Sequence, residues 1–249
     1  MIELKSVAAG YGSHIVLNSV SAGFEAGTCT GIIGINGSGK STLLKAMLGM
    51  LPYSGSISVD GLPLADLSRN EIAKKIAYLS QGKTTPDMTA AQLVLHGRFP
   101  HLRYPRQYEK RDYELAFSAM EQVGIGDLAD KPLRTLSGGM RQKVYIAMAL
   151  AQGTDYILLD EPTTYLDITH QLGLMRTLRE LSGSGKGIVA VMHDLPLAFT
   201  YCDQILLLSD GQVLARGTPR ELCLEPHIEK VFGVGLEPAA DAWCYHYRY

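Results

Sequence analysis

The chain has 249 residues, 46% of them hydrophobic, and a net charge of −2 at pH 7. That length can bury a sizeable core, as one large domain or a core with a subdomain, and the near-neutral balance excludes the basic face that a DNA or RNA binder carries. Cys29, Cys202, Cys223 and Cys244 are scattered without a C-x-x-C pair and read as reduced thiols rather than a metal or disulfide site.

The start, MIELKSVAAGYG, lacks a basic stretch followed by an apolar run and does not read as a secretory signal. No apolar run approaches the ~20 residues of a membrane span. Residues 2–7, 23–24 and 28–34 are short and β-prone. TLLKAMLGML reads as a helix closed by Gly49 and Pro52. After a second sheet region, GSISVDG, the run Ser68-Arg69-Asn70-Glu71 predicts a capping box ahead of a short helix and the strand 76–80. From about residue 81 to 152 helical patterns dominate: MTAAQLVLHG, RQYEKRDYELAFSAMEQVG and GGMRQKVYIAMALAQG. Strand–helix alternation then returns with YILLD, a helix near 168–181, GIVAVMHD, a helix near 196–202, ILLLSDG and QVLARG. The tail AWCYHYRY alternates and reads as a final edge strand. The whole predicts a mainly parallel sheet covered by helices and interrupted by a helical insertion.

The tetrapeptide GSGK occurs twice. The first copy lies in Gly34-x-x-x-x-Gly39-Lys40-Ser41, after the apolar strand GIIG and before a helix. That is the setting of a phosphate-binding loop: glycines let successive amides face one anion, and the helix start adds its positive dipole end. Lys40 is then placed for the β- and γ-phosphates and the Ser41 hydroxyl for Mg²⁺. The second copy, Gly183 to Lys186, has Glu180 where the first has Gly34, and Gly187 follows its lysine. It stands after a helix and before a strand, so it reads as a glycine helix stop.

Tyr156-Ile157-Leu158-Leu159 runs directly into Asp160-Glu161-Pro162. A buried strand ending in acids sets carboxylates at the carboxyl edge of a parallel sheet, where ligands of such sheets gather. Asp160 suits Mg²⁺, held through water, and Glu161 suits orienting and polarising an attacking water. In Leu136-Ser137-Gly138-Gly139-Met140, a serine cap and two glycines open another helix, a second anion-binding start. One ATP needs one such loop, so this one must serve another phosphate.

With this motif the sequence resembles the ATP-binding cassette (ABC) family, whose members carry L-S-G-G-Q before the same helix. Met140 replaces the usual Gln, and Ile35 replaces a frequent Pro in the phosphate loop. The resemblance spans nearly the whole chain. It implies a P-loop NTPase fold of α/β class: a RecA-like, mainly parallel sheet core with an N-terminal antiparallel β subdomain and an inserted helical subdomain. Residues 1–249 form a single ABC ATPase domain on this reading, with residues 1–80 and 153–249 as nucleotide-binding core and 81–152 as helical subdomain.

The resemblance further implies ATP and Mg²⁺ as cofactors. It assigns nucleotide contacts to Tyr11 (stacking on adenine), Asn36, Gly37, Ser38, Gly39, Lys40, Ser41 and Thr42, and to Ser137, Gly138 and Gly139 across a homodimer. Ser41, Gln81 and Asp160 are assigned to the metal, and Glu161, His193 and Gln81 to catalysis, with His193 ending the strand IVAVMHD. Leu166-Asp167 matches the loop that crosses the dimer interface. The aromatic- and proline-rich stretch 97–105 reads as a contact loop; its run Gly97-Arg98-Phe99-Pro100-His101 is similar to ATPase subunits of bacterial importers for iron–siderophore complexes, haem and cobalamin, as are T-T-Y-L-D and the stretch 194–203. Such a subunit sits peripherally on the cytoplasmic face of the membrane, bound to integral permease subunits, served indirectly by a substrate-binding protein, and needs no nucleic acid. The alternatives are another transporter's motor, a non-transport ABC ATPase of DNA repair or translation, and a simple P-loop kinase or switch. The single cassette without heptads counts against the second, and LSGG against the third.

Overall fold

A computed structural model of the chain describes residues 1–80, 85–238 and 245–248. Strands β1 (Ile2–Tyr11) and β2 (His14–Phe24) form a hairpin, and β3 (Cys29–Ile33) leads into α1 (Lys40–Met47). Next come β4 (Tyr53–Val59), β5 (Leu62–Pro63), α2 (Arg69–Lys75) and β6 (Ile76–Leu79). Helices α3 (Ala90–His96), α4 (Lys110–Gln122) and α5 (Gly138–Ala151) lie between β6 and β7 (Tyr156–Asp160). Then follow α6 (Ile168–Gly183), β8 (Gly187–Val191), α7 (Leu195–Tyr201), β9 (Gln204–Ser209) and β10 (Gln212–Gly217). The chain ends in α8 (Pro219–Cys223), α9 (His227–Phe232), β11 (Gly235–Pro238) and β12 (Tyr245–Arg248).

Among the described residues, one sheet has the order β10-β9-β3-β8-β7-β6 and is parallel except for its edge strand β10; a second, antiparallel, runs β2-β1-β4-β5. The parallel strands are buried on both faces, and their period of two splits them between two cores. Cys29, Ile33, Ile157, Leu159, Ile188, Ala190, Ile205 and Leu207 face one cluster, shared with α3 to α7. Ile32, Leu158, Val189, Val191, Leu206 and Leu208 face the other, shared with α1 and the antiparallel sheet.

Local signals are realised closely. Ser68 caps α2, its hydroxyl accepting from the Glu71 amide while Glu71 Oε2 accepts from the Ser68 amide at 2.8 Å. The hairpin is longer than residues 2–7 and 23–24 suggest, because its alternation is broken by register shifts between Leu4 and Gly10 and by Ser6 and Ser19 at positive φ. The tail strand β12 pairs with β11, and the Tyr245 ring meets Phe199 of α7 edge-on at 5.6 Å. Cys29, Cys202 and Cys223 form no disulfide among the described residues, but two of them are not apart: adjacency of β3 and β9 brings the buried Cys29 and Cys202 sulfurs to 3.7 Å. The hydrogen bond with Cys29 and burial push the Cys202 thiol well up. Cys244 lies outside the described residues.

The C-terminus of α5 is bolted to its surroundings by side chains from the 97–105 stretch. Arg98, buried, donates Nε to Asp112 Oδ1 of α4 at 3.0 Å and Nη1 to Ala151 O at 2.7 Å. His101 Nε2 lies 2.8 Å from Gln152 O, and Gln152 donates in turn to Ala73 O and Ile76 O. The stretch read as a contact loop is therefore half anchor: Arg98 and His101 turn inward, while Phe99 and Tyr104 remain exposed with Arg106 over the Phe99 ring at 4.4 Å.

Burial pushes the Asp112 carboxyl up, but the Glu109 amide and the Arg98 guanidinium outweigh it and hold the group below the usual carboxylate range. A depressed carboxyl contributes stability that is present above its unfolded pKa of about 4 and is lost as pH falls through the folded value. Arg98→Ala is expected to destabilise the chain by about 3 kcal/mol, because it leaves a buried charge unpaired. Chemical denaturation at pH 7 measures this loss, and the difference between variant and parent should shrink below pH 4, as Asp112 takes up a proton.

Candidate active site

The carboxyl ends of neighbouring strands β3, β8 and β7 meet at one edge of the parallel sheet, and the segments leaving them carry the polar groups. The loop after β3 closes on α1 through Gly39, the helix N-cap, at φ 103°; a Cβ there would lie 2.8 Å from Leu17 Cδ2. At Gly34 a Cβ would meet Leu208 O at 2.2 Å. No side chain caps α1 and no acid sits in its first turn, so its first amides face outward, available to an anion. The buried Ser38 Oγ has no hydrogen-bond partner, an orphan that a phosphate oxygen would satisfy. Asn36 and Gly37 form the exposed rim, and Thr42 is buried one residue beyond Ser41.

Lys40 is buried at the first position of α1, where its Nζ donates to Gly34 O at 2.8 Å and Ile35 O at 2.9 Å. Burial holds its ammonium below the usual lysine range, and the Glu161 and Asp160 carboxylates oppose that shift. Ser41 Oγ donates to Asp160 Oδ1 at 2.9 Å. A hydroxyl and a carboxylate are donors for a hard cation. No group of three or more His, Cys, Asp or Glu able to hold a metal occurs among the described residues, so phosphate oxygens and water would complete such a shell.

Glu161 sits at φ 52°, a left-handed backbone for a non-glycine residue of the kind that collects at functional sites. Its Oε1 lies 2.6 Å from His193 Nε2, and its Oε2 accepts from Thr164 Oγ1 at 3.2 Å. His193 stands two residues past β8, which ends at Val191 rather than at the histidine. Tyr11, half exposed at the end of β1, accepts a hydrogen bond from Lys45 Nζ at 3.1 Å. That bond lowers its phenol pKa against burial.

The structure thus brings together Lys40, Ser41 and Asp160, and Glu161 with His193. Ser137 is set differently: its hydroxyl accepts from the Met140 amide within α5, and among the described residues no hydrogen bond joins Ser137, Gly138 or Gly139 to the phosphate loop. Gly138 lines a cleft with Asp160, Glu161 and Leu166. Gln81 lies outside the described residues. The second GSGK is a helix stop: α6 ends at Gly183, Gly185 takes φ 99°, and Lys186 donates to Thr154 O.

Sequence reasoning missed Tyr78. Its hydroxyl donates to Asp160 Oδ2 at 3.3 Å, and burial together with the Asp160 charge pushes its pKa well up, so it remains a donor. Its place in AYLS carried no such signal, because the pairing that sets β6 beside β7 is not written in the local pattern.

The sequence profile of the ABC transporter family matches residues 17–164. The chain belongs to the ABC transporter family. It is 41% identical to the ferric enterobactin transport ATP-binding protein FepC of Escherichia coli (strain K12), over 90% of this chain and 84% of that one. To the probable siderophore transport system ATP-binding protein YusV of Bacillus subtilis (strain 168) it is 38% identical, over 96% and 88%. Among solved structures, the dimeric post-hydrolysis state of the ATP-binding cassette MJ0796 bound to ADP and phosphate superposes with a TM-score of 0.74 at 29% identity, covering 88% of this chain and 99% of that one. This ABC chain is therefore an ATPase with the P-loop fold.

The two GSGK copies separate by mutation. Lys40→Ala is expected to weaken binding of a fluorescent ATP analogue by at least about tenfold, the scale of a lost charge-assisted hydrogen bond. Lys186→Ala, far from the strand edge, is expected to leave the same titration unchanged.

Proposed function

We propose that this chain is the ATP-hydrolysing motor subunit of an importer for iron–siderophore complexes or kindred metal chelates such as haem and cobalamin, and that two copies close head to tail around two ATP molecules. The observation that carries the pairing is the division of the site: Lys40, Ser41, Asp160, Glu161 and His193 gather at one strand edge, while the Ser137 hydroxyl turns to its own helix. The chelate class is supported by the likeness to siderophore and ferric enterobactin transport proteins.

In this reading residues 1–80 and 153–249 form the nucleotide-binding core, and residues 81–152 the helical subdomain that docks on separate permease subunits at the cytoplasmic membrane face. A substrate-binding protein serves the permeases. Among the described residues no helix is long and apolar enough to cross a membrane, so the link to the bilayer runs through that partner. Tyr11 stacks on adenine, and Asn36 to Thr42 cradle the phosphates with Lys40 on the β and γ groups. Ser41 and Asp160, with Gln81, would hold Mg²⁺, which when bound would neutralise charge on the phosphates. Tyr78 fixes the second oxygen of Asp160. Glu161 accepts a proton as water attacks the γ-phosphorus, the bond from that phosphorus to the β–γ bridging oxygen breaks and ADP leaves, and His193 holds the Glu161 carboxylate and contacts the γ-phosphate. Ser137 and the amides of Gly138 and Gly139 reach the γ-phosphate bound by the other copy.

Glu161→Gln is expected to give an ATP-stabilised dimer by light scattering, with turnover reduced about a thousandfold. Hydrolysis at the parental rate would remove Glu161 as base. Copurification with a polytopic membrane protein is the expected outcome of a pull-down; recovery with ribosomes or DNA would overturn the transport role.

A further inference from the structure

The start of α6 ties the loop 163–167 to the glycine tip of α5. Gln171 Nε2 donates to Thr163 O at 3.3 Å and Leu166 O at 3.1 Å, holding the loop from below. Asp167 caps α6, accepting from the His170 amide at 2.9 Å. The same carboxylate takes the His170 ring: Nδ1 lies 2.8 Å from both of its oxygens, which fixes a proton on Nδ1. The far edge of that ring rests on the tip. A Cβ built on the buried Gly139 would lie 1.8 Å from His170 Cδ2 and 2.6 Å from Nε2. Beside it, a Cβ on Gly138 would lie 3.8 Å from Leu166 Cδ2. One imidazole is therefore gripped by a carboxylate on one edge and by a glycine backbone on the other. A close-packed contact of this kind passes displacement on rather than absorbing it.

We propose that His170 is a positioning residue for ATP hydrolysis: its ring carries the position of Asp167 to Gly139, so that the loop and the glycine tip move as one body. The proposal rests on the two-copy site argued above, in which the loop reaches across the interface and the tip reaches the other copy's γ-phosphate. It gives His170 a role without contact to nucleotide, and it explains why residue 139 has no room for a side chain.

The test uses the full chain with Glu161→Gln, followed by light scattering against ATP concentration. Two substitutions each keep half of the contact. His170→Phe keeps a ring on Gly139 and loses the bond to Asp167, and His170→Asn keeps a donor for Asp167 and withdraws the ring. Both are expected to raise the ATP concentration for half-dimerisation by about tenfold, the size of a broken coupled contact. ATP affinity of the isolated copy, measured at dilutions where it stays monomeric, is expected to remain at the parental value, a split that general loss of structure would not give. Half-dimerisation at the parental concentration with either substitution overturns the proposal, and so does a parallel loss of monomer affinity. If Glu161→Gln alone forms no dimer with ATP, the two-copy reading fails and takes this one with it; if it dimerises and the His170 variants match it, only the role of His170 fails.

Discussion

A buried ammonium at the mouth of the sheet is the constraint on which the site depends. Lys40 is nearly out of solvent, and two carboxylates, Asp160 and Glu161, stand at the end of the buried strand β7, which β8 separates from β3. Each of these charges is costly to bury alone. Together they are tolerable because each has partners: two loop carbonyls for Lys40, a serine and a tyrosine hydroxyl for Asp160, a histidine and a threonine for Glu161. The loop glycines let the chain curl tightly enough to supply those carbonyls, and the parallel sheet fixes the distance between lysine and acids.

Placing charges there is possible only because the sheet behind them is secured twice. Alternate residues of each parallel strand enter different cores, so the strands cannot slip by one residue without exchanging every side chain between faces. The helices of the 81–152 segment share the first of these cores with β6 and β7, which sets α5 and its glycine tip in fixed relation to the strand that bears the acids.

What the sequence disclosed follows the range of the interactions. The phosphate loop, the Asp160-Glu161 strand end, the serine-capped glycine tip and the Ser68 capping box are each written within a few consecutive residues, and each lies at the helix start or strand end that its local pattern predicts. Interactions that bridge distant segments left little trace. Tyr78 meets Asp160 because β6 lies beside β7, and the Cys29 and Cys202 sulfurs meet because β9 lies beside β3; strand order of that kind is not encoded by periodicity. Arg98, in an aromatic and proline-rich run, looked like surface because its partners Asp112 and Ala151 belong to helices further along the chain. His170 passed unnoticed for another reason: its significance lies in the absence of a side chain at Gly139.

Helix α5 is 14 residues long, about 20 Å at an α-helical rise, with the glycine tip at one end and the Arg98, His101 and Gln152 fastenings at the other. The fastened end borders the exposed Phe99 and Tyr104. The rod is packed along its length into the first core, so those two aromatic rings and the serine and glycines at the opposite extremity are held at a set separation across the segment.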